Sequence, residues 1–171
     1  MPTPENEFPP HDLPALVETL DRNGVDYLLV GGAAAFIYGA ARLTEDADCV
    51  IRRERANLSR LADAMRELHA RLRVGGMTDD EARQLPVKVD ASMLEGVDIT
   101  TWMTDAGGFD ILPGHIVPFE ELVTRATAIP YNGVTIRLAS LEDIITAKEH
   151  ADRPKDHEAL PELRALRDTR Q

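Results

Sequence analysis

Apolar positions along the chain change their period several times, and each change predicts an element. Leu13, Leu16, Val17 and Leu20 recur at the spacing of one helix face. Asp12 stands where a side chain caps such a helix, and Gly24 where one closes. The run DYLLV (26–30) reads as a short apolar strand. Gly31-Gly32 then turns into a small-residue helix over roughly 33–38. DADCVI (46–51) alternates and predicts the next strand. Leu58, Leu61, Met65, Leu68 and Leu72 share one face of a second amphipathic helix, with Asn57 as its expected cap.

Beyond that helix the pattern favours strands. VDITTWM (97–103) and FDIL (109–112) read as a hairpin with TDAGG as its turn. FEELVTRA predicts a short helix, and Asn132-Gly133 a turn between two further strands. Ser140 and Asp143 have the spacing of a capping box and open a helix. Arg153-Pro154 ends that helix, and Pro154 begins the last one. Residues 74–96 carry acids, a proline and at most a short strand at VKV (87–89). The order predicts an α/β (α+β) domain with one mixed sheet and helices mainly on one face. Residues 1–11, rich in proline and polar groups, are expected to form a flexible tail ahead of a single domain over 12–171.

A chain of 171 residues with 43% hydrophobic and 29% charged residues fits one domain with a sizeable core. Its lone cysteine, Cys49, lies between apolar neighbours and reads as a small core residue. Trp102 reads as core too. His69, His150 and His157 lack the spacing of zinc ligands. His115, after a Pro-Gly turn, is expected to be exposed. The uncharged stretch 27–41 is too short to span a bilayer, and no basic, apolar leader opens the chain, so the expected location is the cytoplasm. A net charge of −11 argues against a general nucleic-acid coat. Charge is uneven, however. Seven arginines between Arg52 and Arg73 face only Glu54, Asp63 and Glu67, which leaves a basic helix face as one expectation for an RNA contact.

Asp46 and Asp48 lie two apart on a strand and therefore point to one face. Paired carboxylates repel unless a cation lies between them. Magnesium, or manganese, takes oxygen ligands and is commonly held by one or two carboxylates together with substrate phosphates. Gly31-Gly32 supplies the complementary half. Without Cβ atoms its backbone can approach a phosphate closely, and the helix it opens offers free N–H groups.

LLVGGAAAFIYGAARLTEDADCVI resembles the signature of the nucleotidyltransferase superfamily related to DNA polymerase beta: an apolar strand, a glycine pair, a spacer and D-x-D. Here the spacer between Gly32 and Asp46 is 13 residues. RLTEDAD and SLEDIITAKEHADRPKD resemble the minimal bacterial branch that includes AbiEii-type and MenT-type toxins. Gly32 stands where part of the superfamily has serine, so only backbone donors remain there. The resemblance implies that Asp46 and Asp48 bind divalent metal, and that a third carboxylate, assigned to Asp110, comes from a later strand. It implies an NTP held by Gly31 and Gly32, with Arg42, Thr44, Lys148, Arg153 and Lys155 around it and Asp156 orienting Lys148. Taken singly, these cations also fit solvated surface positions.

The implied reaction is metal-dependent transfer of a nucleoside monophosphate to an acceptor hydroxyl. By resemblance to the toxins the acceptor is a tRNA 3′ end, with an antitoxin as protein partner. A small cationic molecule such as an aminoglycoside suits the acidic chain better. A nucleotide-binding regulatory module without turnover is the other alternative. Strand parity separates Asp110 from Asp98: with an even hairpin loop, Asp98 falls on the face of Trp102, Phe109 and Ile111, and Asp110 shares the opposite face with Thr101.

Overall fold

The computed structural model describes residues 8–97, 100–112 and 116–170. Helix α1 (Leu13–Arg22) is capped by Asp12, whose carboxylate accepts the Ala15 N–H. Strand β1 (Tyr27–Val30), buried throughout, runs directly into α2 (Gly31–Tyr38). Strand β2 (Asp46–Ile51) and helix α3 (Arg55–Glu67) follow. A two-residue β3 (Arg71–Leu72) leads to short helices α4 (Asp79–Arg83) and α5 (Ala91–Glu95). Strands β4 (Thr100–Thr104) and β5 (Gly107–Leu112), helix α6 (Phe119–Arg125), and strands β6 (Thr127–Tyr131) and β7 (Val134–Leu138) come next. Helices α7 (Leu141–Ala151) and α8 (Pro154–Thr169) close the fold.

The strands form one mixed sheet in the order β3-β4-β5-β2-β1-β7-β6. β2 is antiparallel to β1 and parallel to β5, which brings residues about sixty apart in sequence side by side. The core is continuous across the sheet. Trp102 and Phe109 are fully enclosed and stand opposite each other on β4 and β5. Burial of side chains of this size contributes about 1.5–3 kcal/mol each. Cys49 is buried among them, and burial pushes its thiol well up. Among the described residues no helix is long and apolar enough to cross a membrane.

Most predicted elements form as expected, including the Ser140 cap and the break at Arg153-Pro154. Five details differ. Helix α3 ends at Glu67, so Leu72, expected on its face, lies in β3 opposite Trp102. VKV makes no strand; a capping box in which Thr78 and Glu81 bond each other's backbone N–H opens α4 instead. Asn57 lies inside α3, fully buried, where it accepts the Asp26 N–H and donates to the Asp26 and Arg52 carbonyls. It ties strand ends together instead of capping a helix. Phe8 to His11, expected as tail, lie against the sheet: the Asp12 N–H donates to the Ala106 carbonyl, and His11 packs on Gly107.

The fifth difference is the arginine-rich stretch, which is not a free basic face. Arg52 pairs with Asp26 and Glu120, Arg55 with Glu95 and Arg66 with Asp63. Arg53 and Arg60 donate to backbone carbonyls. Arg71 is buried and bidentate to Asp79, with both nitrogen–oxygen distances at 2.6 Å. Acids from distant parts of the chain meet Arg52, Arg55 and Arg71, while Arg66 pairs with its neighbour Asp63.

Candidate active site

Asp46 and Asp48 project from β2 on one face, while Ala47 and Cys49 point into the core. On β5, Asp110 is the register partner of Asp48, and Gly108 that of Asp46. The hairpin loop is the two-residue Asp105-Ala106, so the pairing parity is the even one expected. Asp110 stands opposite Thr101, the residue expected to share its face. Asp98 lies outside the described residues, as does His115.

Two glycines make room for this row, and a third for the segment ahead of α1. A Cβ on Gly31, which sits at φ +65°, would overlap the Asp48 carboxylate. A Cβ on Gly108 would overlap the Asp46 carboxylate. Gly107, at φ +97°, would place a Cβ 2.8 Å from the His11 Cα. The second glycine of the motif is looser: a Cβ on Gly32 would meet Thr44 at 3.4 Å. Thr44 in turn donates its hydroxyl to the Asp46 carbonyl at 3.1 Å, holding the entry to β2.

The row is electrostatically tense. Burial raises Asp48 to about 7, with Asp110 and then Asp46 adding to the effect and Lys155 opposing it. Asp110 is also raised, first by burial and then by Asp46, with Asp48, Arg73 and Thr101 pulling the other way. Two adjacent carboxylates hold one proton between them most easily when no cation is present. One oxygen of Asp110, Oδ1, is buried without a hydrogen-bond partner. An orphaned carboxylate oxygen beside two further carboxylates is the donor set a hard divalent cation takes. Among the described residues no three acidic, His or Cys side chains are already gathered for a metal. Asp46 is engaged by Arg73, whose Nη1 lies 3.2 and 3.5 Å from its two oxygens. The residues fit an ion once Arg73 yields Asp46.

On the β1 side, the start of α2 faces Asp48 through Gly31. Arg153 and Lys155 act electrostatically on Asp48 from the start of α8. Asp156 is fully buried, accepts from Arg153 at 2.7 Å and lies 3.5 Å from Lys148. The Arg153 guanidinium holds that carboxyl below the usual range. Arg42 is exposed in the loop between α2 and β2. The structure therefore brings Gly31, Gly32, Thr44, Asp46, Asp48, Asp110, Arg153, Lys155, Asp156 and Lys148 to one region. It adds Arg73, Gly108 and Phe8, which the sequence reading did not single out. Arg73 was legible only as one of seven arginines; the glycine pair in DAGGFD was read as turn chemistry.

The family model described as nucleotidyl transferase AbiEii toxin, type IV TA system, matches residues 15–168. The chain is similar in structure to the lincosamide antibiotic adenylyltransferase LnuA, solved with lincomycin bound. The TM-score is 0.58 at 14% identity, over 92% of this chain and 99% of that one. It is similar to ANT(2″)-Ia in complex with adenylyl-2″-tobramycin, with a TM-score of 0.54 at 16% identity over 92% and 93% of the two chains. An antigenic nucleotidyltransferase-like protein from Paracoccidioides brasiliensis gives 0.51 at 17% identity, over 92% and 77%. At these identities the likenesses show the fold. No curated protein matches the sequence.

Proposed function

The chain belongs to the AbiEii nucleotidyltransferase family, and on that premise we propose that it moves a nucleoside monophosphate from an NTP to the 3′ end of a tRNA. Asp46 and Asp48 would hold the divalent ion, Mg²⁺ or Mn²⁺, and Asp110 would complete the set. When bound, the ion neutralises triphosphate charge and lowers the pKa of the attacking hydroxyl. The observation that carries the reading is the in-register Asp48–Asp110 pair with its orphaned oxygen, set against the glycine that opens α2.

In the transfer, the acceptor oxygen forms a bond to the α-phosphorus as the bond from that phosphorus to the pyrophosphate oxygen breaks. The hydroxyl proton passes to a carboxylate, and Asp110 is the one assigned to receive it. Free N–H groups of α2 at Gly31 and Gly32 face the triphosphate. Lys148, Arg153 and Lys155 oppose its charge, with Asp156 positioning Lys148 and Arg153. Arg42 and Thr44, from the loop between α2 and β2, would add to this side. The family's toxin–antitoxin description supports an antitoxin as protein partner.

A second reading has its own support. A net charge of −11 suits a cationic small molecule, and two structural neighbours were solved with lincomycin or an adenylylated tobramycin. The test mixes the protein with Mg²⁺ and four α-labelled NTPs, offering total bacterial RNA in one arm and aminoglycosides in another. Label on tRNA supports the proposal. Label on the sugar moves the acceptor to the second reading. NTP binding without pyrophosphate release leaves only a regulatory module.

A further inference from the structure

Arg73 follows β3 and reaches across to Asp46. The same guanidinium lies over the Phe8 ring, 5.7 Å from its centroid. Phe8, Arg73, residues 74–77 and Thr101 wall a hollow of about 530 Å³. Thr101 is the register partner of Asp110, so the hollow opens beside the third carboxylate. The sheet order sets it on the β4 side of β2, away from β1 and the glycine that opens α2. Its volume falls in the range of small-ligand sites. The wall is anchored, since Arg71 before it and Asp79 after it form a buried bidentate pair.

We propose that this hollow receives the acceptor, and that Arg73 passes from Asp46 to a phosphate of the acceptor when Asp46 takes a cation. The inference rests on the nucleotidyl-transfer reading above and adds the acceptor's chemistry to it. Both Asp46 oxygens face Arg73. A divalent ion competes for those same oxygens and repels the guanidinium. Arg73 then faces the hollow with Phe8 beside it. A guanidinium binds phosphate through paired donors, and the neighbouring ring offers a face for a planar base. The selected class is an acceptor carrying phosphate beside its reacting hydroxyl: the end of an RNA strand or a mononucleotide. A polycationic sugar meets a like charge instead. The order of binding follows, cation first and acceptor second.

The test uses the full chain, Arg73→Gln and Arg73→Lys, with thermal melting to confirm that both variants fold. Three probes are titrated: a short labelled single-stranded RNA with a free 3′-hydroxyl, a nucleoside 5′-monophosphate, and an aminoglycoside. Each is titrated with and without Mg²⁺ and a non-hydrolysable NTP. In the wild type, the loaded state should bind a phosphate-bearing probe about tenfold or more tighter, the scale of one charge-assisted contact. Arg73→Gln should lose that gain, Arg73→Lys should keep part of it, and Mn²⁺ binding without acceptor should be equal or tighter in Arg73→Gln. Preference between RNA and mononucleotide identifies the source of the phosphate. Unchanged loaded-state binding in Arg73→Gln overturns the proposal, as does weakened Mn²⁺ binding. Label transfer is run on parallel samples in which an α-labelled hydrolysable NTP replaces the analogue. Transfer to the aminoglycoside that is indifferent to Arg73 sinks this inference and leaves the transferase reading standing; no transfer to any probe sinks both.

Discussion

The two sides of the carboxylate row are built differently. On the β1 side, Gly31, Gly32, Thr44, Asp46 and Asp48 come from one stretch of eighteen residues, 31–48, folded as helix, loop and strand. On the β4 side, Phe8, Arg73, Thr101, Gly108 and Asp110 come from four separate stretches joined by strand pairing. The first side is shaped by backbone: Gly31 lets the start of α2 approach the Asp48 carboxylate, and that helix end is the surface proposed to face a phosphate. The second is shaped by side chains, with one arginine shared between an aspartate and an aromatic ring. On the nucleotidyl-transfer reading, the backbone-built surface is the one proposed to meet what every NTP has in common. A side-chain surface is the one that can differ between relatives with different acceptors.

The largest effects should come from the row that both sides share. Asp46→Asn or Asp48→Asn should lower transfer by roughly 10²–10³ or more, the scale of removing a group that stabilises developing charge. Melting curves should show both variants folded, and neither should keep the wild-type thermal shift with Mn²⁺ and NTP. A retained shift would move the metal elsewhere.

Next in size is the anchor beneath the β4 side. Arg71→Ala removes the bidentate partner of buried Asp79 and leaves it only Arg83 at 3.2 Å, so it should cost about 2–4 kcal/mol. A drop in melting temperature of roughly 10 °C is expected. Arg55→Ala, at an exposed pair with Glu95, should cost under about 1 kcal/mol. Equal losses at the two positions would contradict the structural role given to the arginine-rich stretch.

The two motif glycines give a smaller contrast. Gly31→Ala forces a left-handed backbone onto alanine and pushes on Asp48, so it should cost about 1–3 kcal/mol and abolish transfer. Gly32→Ala meets only Thr44 and should be tolerated within about 1 kcal/mol. Activity in Gly31→Ala near that of Gly32→Ala would remove the close-approach argument.

The smallest effect concerns pH. Asp48 is raised from 3.8 to about 7 in the metal-free fold. Between those values the native state binds more protons than the unfolded chain, so stability falls as pH rises. Urea titrations from pH 4 to pH 8 should show a loss on the order of 1–2 kcal/mol, allowing for partial solvation of the pair. Asp48→Asn should flatten that slope and stabilise the protein at pH 8. A rising slope would mean that the carboxylates are compensated by something other than a bound cation.

What the sequence revealed follows the same division. Asp46, Asp48 and the glycine pair were legible because strand period and turn chemistry are local. Asp110 was reachable through hairpin parity, since the two-residue loop is even and leaves Asp110 on the face of Thr101. Arg73 was hidden because its value depends on a parallel pairing and an antiparallel edge strand of two residues. Gly108 was hidden because its reason is a side chain on a neighbouring strand. The basic face expected from seven arginines was misread for a related reason. Local charge counts do not see the distant acids that the fold brings to them.

The central claim is that one carboxylate row serves an NTP on the β1 side and an acceptor on the β4 side. A crystal structure with Mn²⁺ and a non-hydrolysable NTP tests it most directly. The account predicts anomalous density bound by Asp46 and Asp48, the triphosphate against Gly31 and Gly32, and Arg73 turned from Asp46 toward the hollow beside Phe8. Manganese away from the row, or a triphosphate lodged between Arg73 and Phe8, would contradict it.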